Sequence, residues 1–169
     1  MNDRMKLFYM NIAKECAKMS RAVRLQVGAV VIKNNNIISF SWNGMPSGWD
    51  NNCEFWEKKI EWDDPSQVYK FLEEGWEWHE DEDGGSYLRR LKTRPEVLHA
   101  ESNAVSKLAR SSESGAGASM FITHSPCIDC AKLIYQSGVV AVYYTVDYRC
   151  SSGIEFLKRC GIKVEKIHV

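Results

Sequence analysis

No run of apolar residues in this 169-residue chain approaches the roughly 20 needed to span a bilayer. Neither sign of charge is in excess, since Lys and Arg number 22 and Asp and Glu number 22. That balance argues against a protein that grips long nucleic acid by electrostatics. Met1 to Lys18 mixes charges throughout and lacks the apolar core of a secretory signal, so a cytoplasmic protein is expected. Internal repeats and low-complexity linkers are also missing. With 44% hydrophobic and 26% charged residues, the chain fits one soluble globular domain over 1–169. Cysteine is not scarce: there are six, which in an unsecreted chain suggest reduced thiols or metal ligands before disulfides.

Charge and aromatics are unevenly spread. Residues 1–33 carry seven Lys/Arg against Asp3 and Glu15, whereas residues 53–94 carry twelve Asp/Glu against seven Lys/Arg. Seven of those acids fall within Glu73–Asp83, which reads as a solvated loop. All six tryptophans lie between Trp42 and Trp78. Residues 53–96 therefore read as an insertion that either builds a small core of its own or covers a subunit interface.

Hydrophobic spacing predicts a helix over Asp3–Ser20. Val27–Lys33 and Ile37–Trp42 form a hairpin about Asn34–Asn36, because Asn tolerates the left-handed conformations of tight turns. A second helix is expected over Asp64–Gly75, with Asp64 as N-cap, Pro65 in the first turn and Gly75 as stop. Further helices are expected over Val97–Ser111, Pro126–Gln136 and Gly153–Arg159. Strands are expected over Ser119–Thr123, Val139–Thr145 and Ile162–Val169. This α-β-α-β-α-β order favours an α/β layered sheet with helices on its faces.

Two segments carry chemistry. His99-Ala100-Glu101 and Pro126-Cys127-Ile128-Asp129-Cys130 match H-x-E followed by P-C-x-x-C, the established signature of zinc nucleobase deaminases. Cys127 and Cys130 are three apart on a predicted helix, so both sulfurs share one face. They lie in its first turn, where the helix dipole favours thiolates. His99 supplies a third, neutral ligand. Two thiolates and one imidazole leave a fourth position on Zn2+ for water, the catalytic arrangement rather than the structural one. Glu101, two residues from His99, would not share its face on an ideal helix, but it is expected to move protons rather than bind metal. Cys16, Cys53, Cys150, Cys160 and His79 show no convincing ligand spacing. Buried free cysteine is the expectation for the thiols.

With these segments, Val27-Gly28-Ala29-Val30, Asn43-Gly44 with Pro46, Ser102-Asn103-Ala104, Ala131-Lys132, Ser137-Gly138 and Asp147-Tyr148-Arg149 resemble the deoxycytidylate (dCMP) deaminase family over most of the chain. The resemblance implies a cytidine-deaminase-like three-layer α/β/α sandwich with a mixed five-stranded sheet. It also implies zinc-dependent hydrolysis of dCMP to dUMP and ammonia, with dUMP supplying thymidylate synthesis. Glu101 is then the catalytic proton carrier and His99, Cys127 and Cys130 hold the metal. Asn43 is similar to the family's sugar-contacting Asn, with a turn-holding role as the alternative. Ser125 is expected to present its backbone to the base's exocyclic group, and Tyr148 to close over the substrate. Arg24 is the first choice for the phosphate, with Arg21 and Arg149 next, since a guanidinium fork suits a phosphate. The family is often hexameric, activated by dCTP and inhibited by dTTP, so a homo-oligomer and a Mg2+ ion accompanying dCTP are further expectations.

Departures occur where the family usually has Gly-Tyr, here Ser41-Trp42, and where it commonly has an apolar residue, here His124. Deamination of tRNA or single-stranded DNA uses the same zinc chemistry but needs a basic surface, which the zero net charge disfavours. A free-nucleoside cytidine deaminase needs no phosphate-binding arginine. A non-enzymatic zinc domain needs a fourth protein ligand.

Overall fold

The computed structural model describes residues 1–59 and 67–168. Helix α1 (Asp3–Lys18) is capped by the Asn2 side chain, which accepts from the Met5 amide. The apolar run then forms β1 (Gly28–Lys33), paired antiparallel with β2 (Asn36–Trp42). Asn34 and Asn35 take φ of 51° and 63°, the left-handed conformation the tight turn requires.

The next segment leaves this sheet. It contains β3 (Glu54–Lys59), α2 (Val68–Glu73), β4 (Glu77–Glu80) and β5 (Ser86–Thr93), whose strands make a separate antiparallel sheet in the order β3-β5-β4. The acidic stretch is therefore not loop throughout, because Glu77–Glu80 pairs with Ser86–Arg89. Charged side chains on both strands form cross-strand ion pairs, Arg89 with Glu77 and Arg90 with Glu57, so a charge-rich sequence still makes a ladder. Helix α2 is shorter than expected, and the expected caps Asp64 and Pro65 lie outside the described residues.

The remaining elements are α3 (Ala100–Leu108), β6 (Ser119–His124), α4 (Ile128–Gln136), β7 (Ala141–Val146), α5 (Ser152–Arg159) and β8 (Lys163–Lys166). The main sheet runs β2-β1-β6-β7-β8, antiparallel on the β1 side and parallel from β6 to β8. Alternate residues of the central strands enter opposite layers. Ala29, Val31, Met120, Ile122 and Val142 pack against α3, α4 and α5. Val30, Ile32, Phe121 and Tyr143 meet Tyr9, Met10 and Ala13 of α1. A strand buried on both faces must be apolar throughout, which is why β1 reads as an unbroken hydrophobic run. The result is the expected three-layer α/β/α sandwich on a mixed five-stranded sheet.

At the start of β1, a Cβ on Gly28 would lie 2.0 Å from the Ala13 carbonyl oxygen, so only glycine lets α1 seat there. The expected helix over Val97–Ser111 begins three residues late. Leu98 is spent instead on a two-hydrogen-bond bridge to Gly44, which ties the loop after β2 to the approach to His99.

Candidate active site

β6 and β7 are parallel and end together, with His124 opposite Val146. The Ser125 amide donates to the Val146 carbonyl at 2.9 Å, and the Ser125 hydroxyl accepts from the Tyr148 amide at 2.7 Å. These bonds fix the two chain segments leaving the sheet, one toward Cys127 and the other toward Tyr148. Ligand crevices of α/β sheets form at such carboxyl ends.

His99 and Cys127 are the N-caps of α3 and α4, both with extended backbone. Cys127 thus precedes its helix rather than lying in it, and Cys130 occupies the first turn. The same position resolves the spacing of His99 and Glu101: His99 lies outside the helix, so helical angular spacing does not separate the two side chains. His99 Nδ1 lies 3.3 Å from Cys130 Sγ and 3.6 Å from Cys127 Sγ. The three donor atoms all lie within 4.8 Å of one another. Cys130 is buried, Cys127 half-buried and His99 exposed, leaving one side of the group open.

Hydrogen bonding to Cys130, and then to His99, pulls the Cys127 thiol down to about 4. The same pairing with Cys127, with burial second, pushes Cys130 far up, so without metal one sulfur is thiolate and the other thiol. The His99 imidazole is raised chiefly by its bond to Cys127. One imidazole and two close sulfurs, open on one side, suit a borderline-soft divalent cation such as Zn2+ in a three-ligand site.

Glu101 is 5% exposed and lines a pocket with His99, Cys127, Asn43, Ser125 and Tyr148. Burial, the largest influence, pushes its carboxyl from the ordinary 4.5 to about 7.

The pocket abuts a cleft of about 710 Å³, with Thr93, His99, Cys127 and Tyr148 on the walls of both. Arg24 and Arg149 line the cleft, as does Arg94, which the sequence reading did not single out; Arg21 lines neither. Asn43 spends much of its amide on the backbone: Oδ1 accepts from the Val27 amide at 2.7 Å and Nδ2 donates to the Leu25 carbonyl at 2.8 Å. Its φ is not left-handed, so it holds the neighbouring loop through its side chain rather than a turn through its own backbone.

Of the two departures, Ser41 and Trp42 do not line the pocket. The Ser41 hydroxyl donates to the Ala100 carbonyl at 2.5 Å, and the Trp42 carbonyl accepts from Asn103. His124 does line the pocket, and burial lowers its pKa. Glu54 and Thr93, from the first and last strands of the insertion, line it too. Nothing in their local sequence distinguished them from surface strand residues.

The family profile described as the cytidine and deoxycytidylate deaminase zinc-binding region matches residues 4–146. The chain belongs to the cytidine and deoxycytidylate deaminase family. Among family members, the deoxycytidylate deaminase of Enterobacteria phage T4 is 31% identical over 92% of this chain and 86% of its own length. The human deoxycytidylate deaminase is 29% identical over 83% of this chain and 64% of its own. Among solved structures, the dCMP deaminase of cyanophage S-TIM5 in complex with dCMP and dUMP superposes with a TM-score of 0.75. It is 40% identical, with 99% of each chain covered. The deaminase family explains the conjunction of an open His-Cys-Cys group with a buried carboxyl on one pocket wall.

The six cysteines are free. Cys16 and Cys53 are buried as expected, whereas Cys150 is exposed and Cys160 half-buried. Among the described residues, His99, Cys127 and Cys130 are the one group of three or more His, Cys, Asp or Glu placed to share a metal ion. No helix among those residues is long and apolar enough to cross a membrane.

Proposed function

We propose that the chain is a zinc-dependent dCMP deaminase that converts dCMP and water to dUMP and ammonia. The observation that carries this reading is the buried Glu101 carboxyl on the same pocket wall as the open His99–Cys127–Cys130 group. Those three residues hold the metal, and Zn2+ when bound supplies the Lewis acidity that makes water nucleophilic near neutral pH.

Glu101 accepts the proton of the attacking water and delivers it to ring N3, which raises the electrophilicity of C4. It then passes a proton to the exocyclic nitrogen, which leaves as ammonia while the C4–O bond becomes the carbonyl of dUMP. A single carboxyl, buried on the pocket wall beside the residues that hold the metal, takes and returns the same proton, as both steps demand. Ser125 presents backbone to the exocyclic group, Asn43 faces the deoxyribose with what remains of its amide, Tyr148 covers the substrate, and Arg24 takes the phosphate. Activation by dCTP with Mg2+, inhibition by dTTP, a homo-oligomeric assembly and a cytoplasmic setting belong to the same reading, supported by family resemblance.

The test is deamination of dCMP, CMP, deoxycytidine and dCTP, each with and without dCTP or dTTP as effector. Turnover concentrated on dCMP and raised by dCTP is the expected result. Preference for deoxycytidine points to a nucleoside deaminase. No turnover on any of the four, with zinc bound, sinks the mononucleotide reading.

A further inference from the structure

The segment between α1 and β1, residues 20–27, has neither helix nor strand, so side chains must satisfy its backbone. Asn43 serves Leu25 and Val27. The Gln26 side chain donates to the Ser20 carbonyl at 2.9 Å. The Ser20 hydroxyl accepts from the Ala22 amide at 3.2 Å, and further support comes from the insertion. Glu54 Oε1 accepts from the amides of Val23 at 3.1 Å and Arg24 at 3.2 Å. Glu54 is the first residue of β3, 5% exposed, and its cross-strand partner on β5 is Thr93. Thr93 Oγ1 accepts from Arg24 Nη1 at 3.1 Å. One cross-strand pair thus holds both ends of Arg24, its amide and its guanidinium. Both members also line the pocket with His99 and Glu101. Among the described residues, Arg24 makes no ion pair with a carboxylate, so its charge is not already neutralised there.

We propose that Glu54 and Thr93 are positioning residues for Arg24, and that through them the insertion sets the preference for a nucleoside monophosphate over a nucleoside. The proposal rests on the reading of Arg24 as the phosphate ligand. A guanidinium on a free loop loses conformational entropy when it engages a phosphate. Here the loop is anchored at the Arg24 amide and the fork is oriented by a hydroxyl, so that cost is met on folding. The carboxylate suits this use, because one of its oxygens accepts two N–H groups at once.

The experiment compares kcat/KM for dCMP and deoxycytidine in the zinc-loaded enzyme and in Thr93→Val, Glu54→Ala, Glu54→Gln, Arg24→Ala and Thr93→Val/Arg24→Ala. Thr93→Val keeps the side-chain volume and removes the acceptor. It should lower the dCMP-to-deoxycytidine ratio about tenfold, mainly through KM for dCMP. Glu54→Ala should lower the ratio at least as far, and Glu54→Gln should restore most of it because an amide oxygen still accepts. In the Arg24→Ala background Thr93→Val should have no further effect on the ratio, since the two act through one contact. If Arg24→Ala collapses the ratio while Thr93→Val and Glu54→Ala depress both substrates equally, the pair is merely structural and the proposal is overturned. If Arg24→Ala leaves the ratio intact, the phosphate reading of Arg24 fails and the positioning role falls with it.

Discussion

Gly153 is the second residue of α5, and a Cβ there would lie 2.1 Å from the Pro126 carbonyl oxygen and 2.9 Å from the carbonyl carbon and oxygen of Cys127. All three atoms are backbone, so no side chain can swing aside. Ordinary contact begins at 3.4 Å, so Gly153→Ala must separate α5 from the start of α4 by roughly 1.3 Å. The segment displaced is the one that presents Cys127. Overpacking of this kind costs about 1–3 kcal/mol, and the gain in helix propensity from Gly to Ala offsets up to about 1 kcal/mol. The expected net destabilisation is about 1–2 kcal/mol, a Tm lower by roughly 2–8 °C for a domain of this size. Zinc affinity should fall about 10–100-fold, the usual cost of disturbing what holds a ligand in place. Differential scanning calorimetry reads the first quantity and competition with a chromogenic chelator reads the second. Gly161→Ala is the control. Its φ of +77° makes alanine strained, but nothing lies within 4 Å of the added methyl, so it should lose stability without losing zinc affinity. Wild-type stability and zinc affinity in Gly153→Ala would refute the packing argument.

Other perturbations have equally definite outcomes. In metal-free protein the Glu101 carboxyl titrates near 7 rather than 4.5, so its proton is bound more tightly folded than unfolded. Its contribution is fully present below 4.5 and is lost as pH rises through about 7, up to roughly 3 kcal/mol. Urea unfolding of the apoprotein should therefore show wild type weakening relative to Glu101→Gln between pH 5 and pH 8; parallel curves contradict the burial argument. Cys130→Ser should lower zinc content below stoichiometry by metal analysis and abolish turnover, and full zinc occupancy would remove Cys130 from the ligand set. Gly28→Ala drives a methyl into the Ala13 and Ala17 backbone of α1 and should cost at least about 2 kcal/mol in denaturant titration, whereas a neutral result would mean α1 is not seated there.

The main sheet was legible in the sequence because its signals are local. The apolar run of β1, the asparagines at positive φ and the glycine after α4 each carry their own physical reason. The convergence of His99, Cys127 and Cys130 was legible because H-x-E and P-C-x-x-C place them at two helix starts, although both helices begin later than hydrophobicity suggests. The insertion was not legible as a sheet. Its strands carry Glu, Lys and Arg on exposed faces, and their pairing is visible only when Glu57 is set beside Arg90 and Glu77 beside Arg89. Its tryptophans divide between uses: Trp76 is buried with Arg90 stacked on it, while Trp56 and Trp78 are exposed. Glu54 and Thr93 were invisible for a different reason. Their importance comes from contact with residues 23 and 24, some 30 and 69 positions away, and no short-range pattern encodes such a contact.

The most direct measurement is ammonia release from dCMP by the zinc-loaded protein and by Glu101→Gln, with zinc quantified in both. Wild type should turn over, lose activity to a chelator and regain it with added Zn2+. Glu101→Gln should keep stoichiometric zinc and lose at least about 100-fold in kcat, the minimum for removing a general acid–base. A Glu101→Gln enzyme that holds zinc and deaminates dCMP at the wild-type rate contradicts the account.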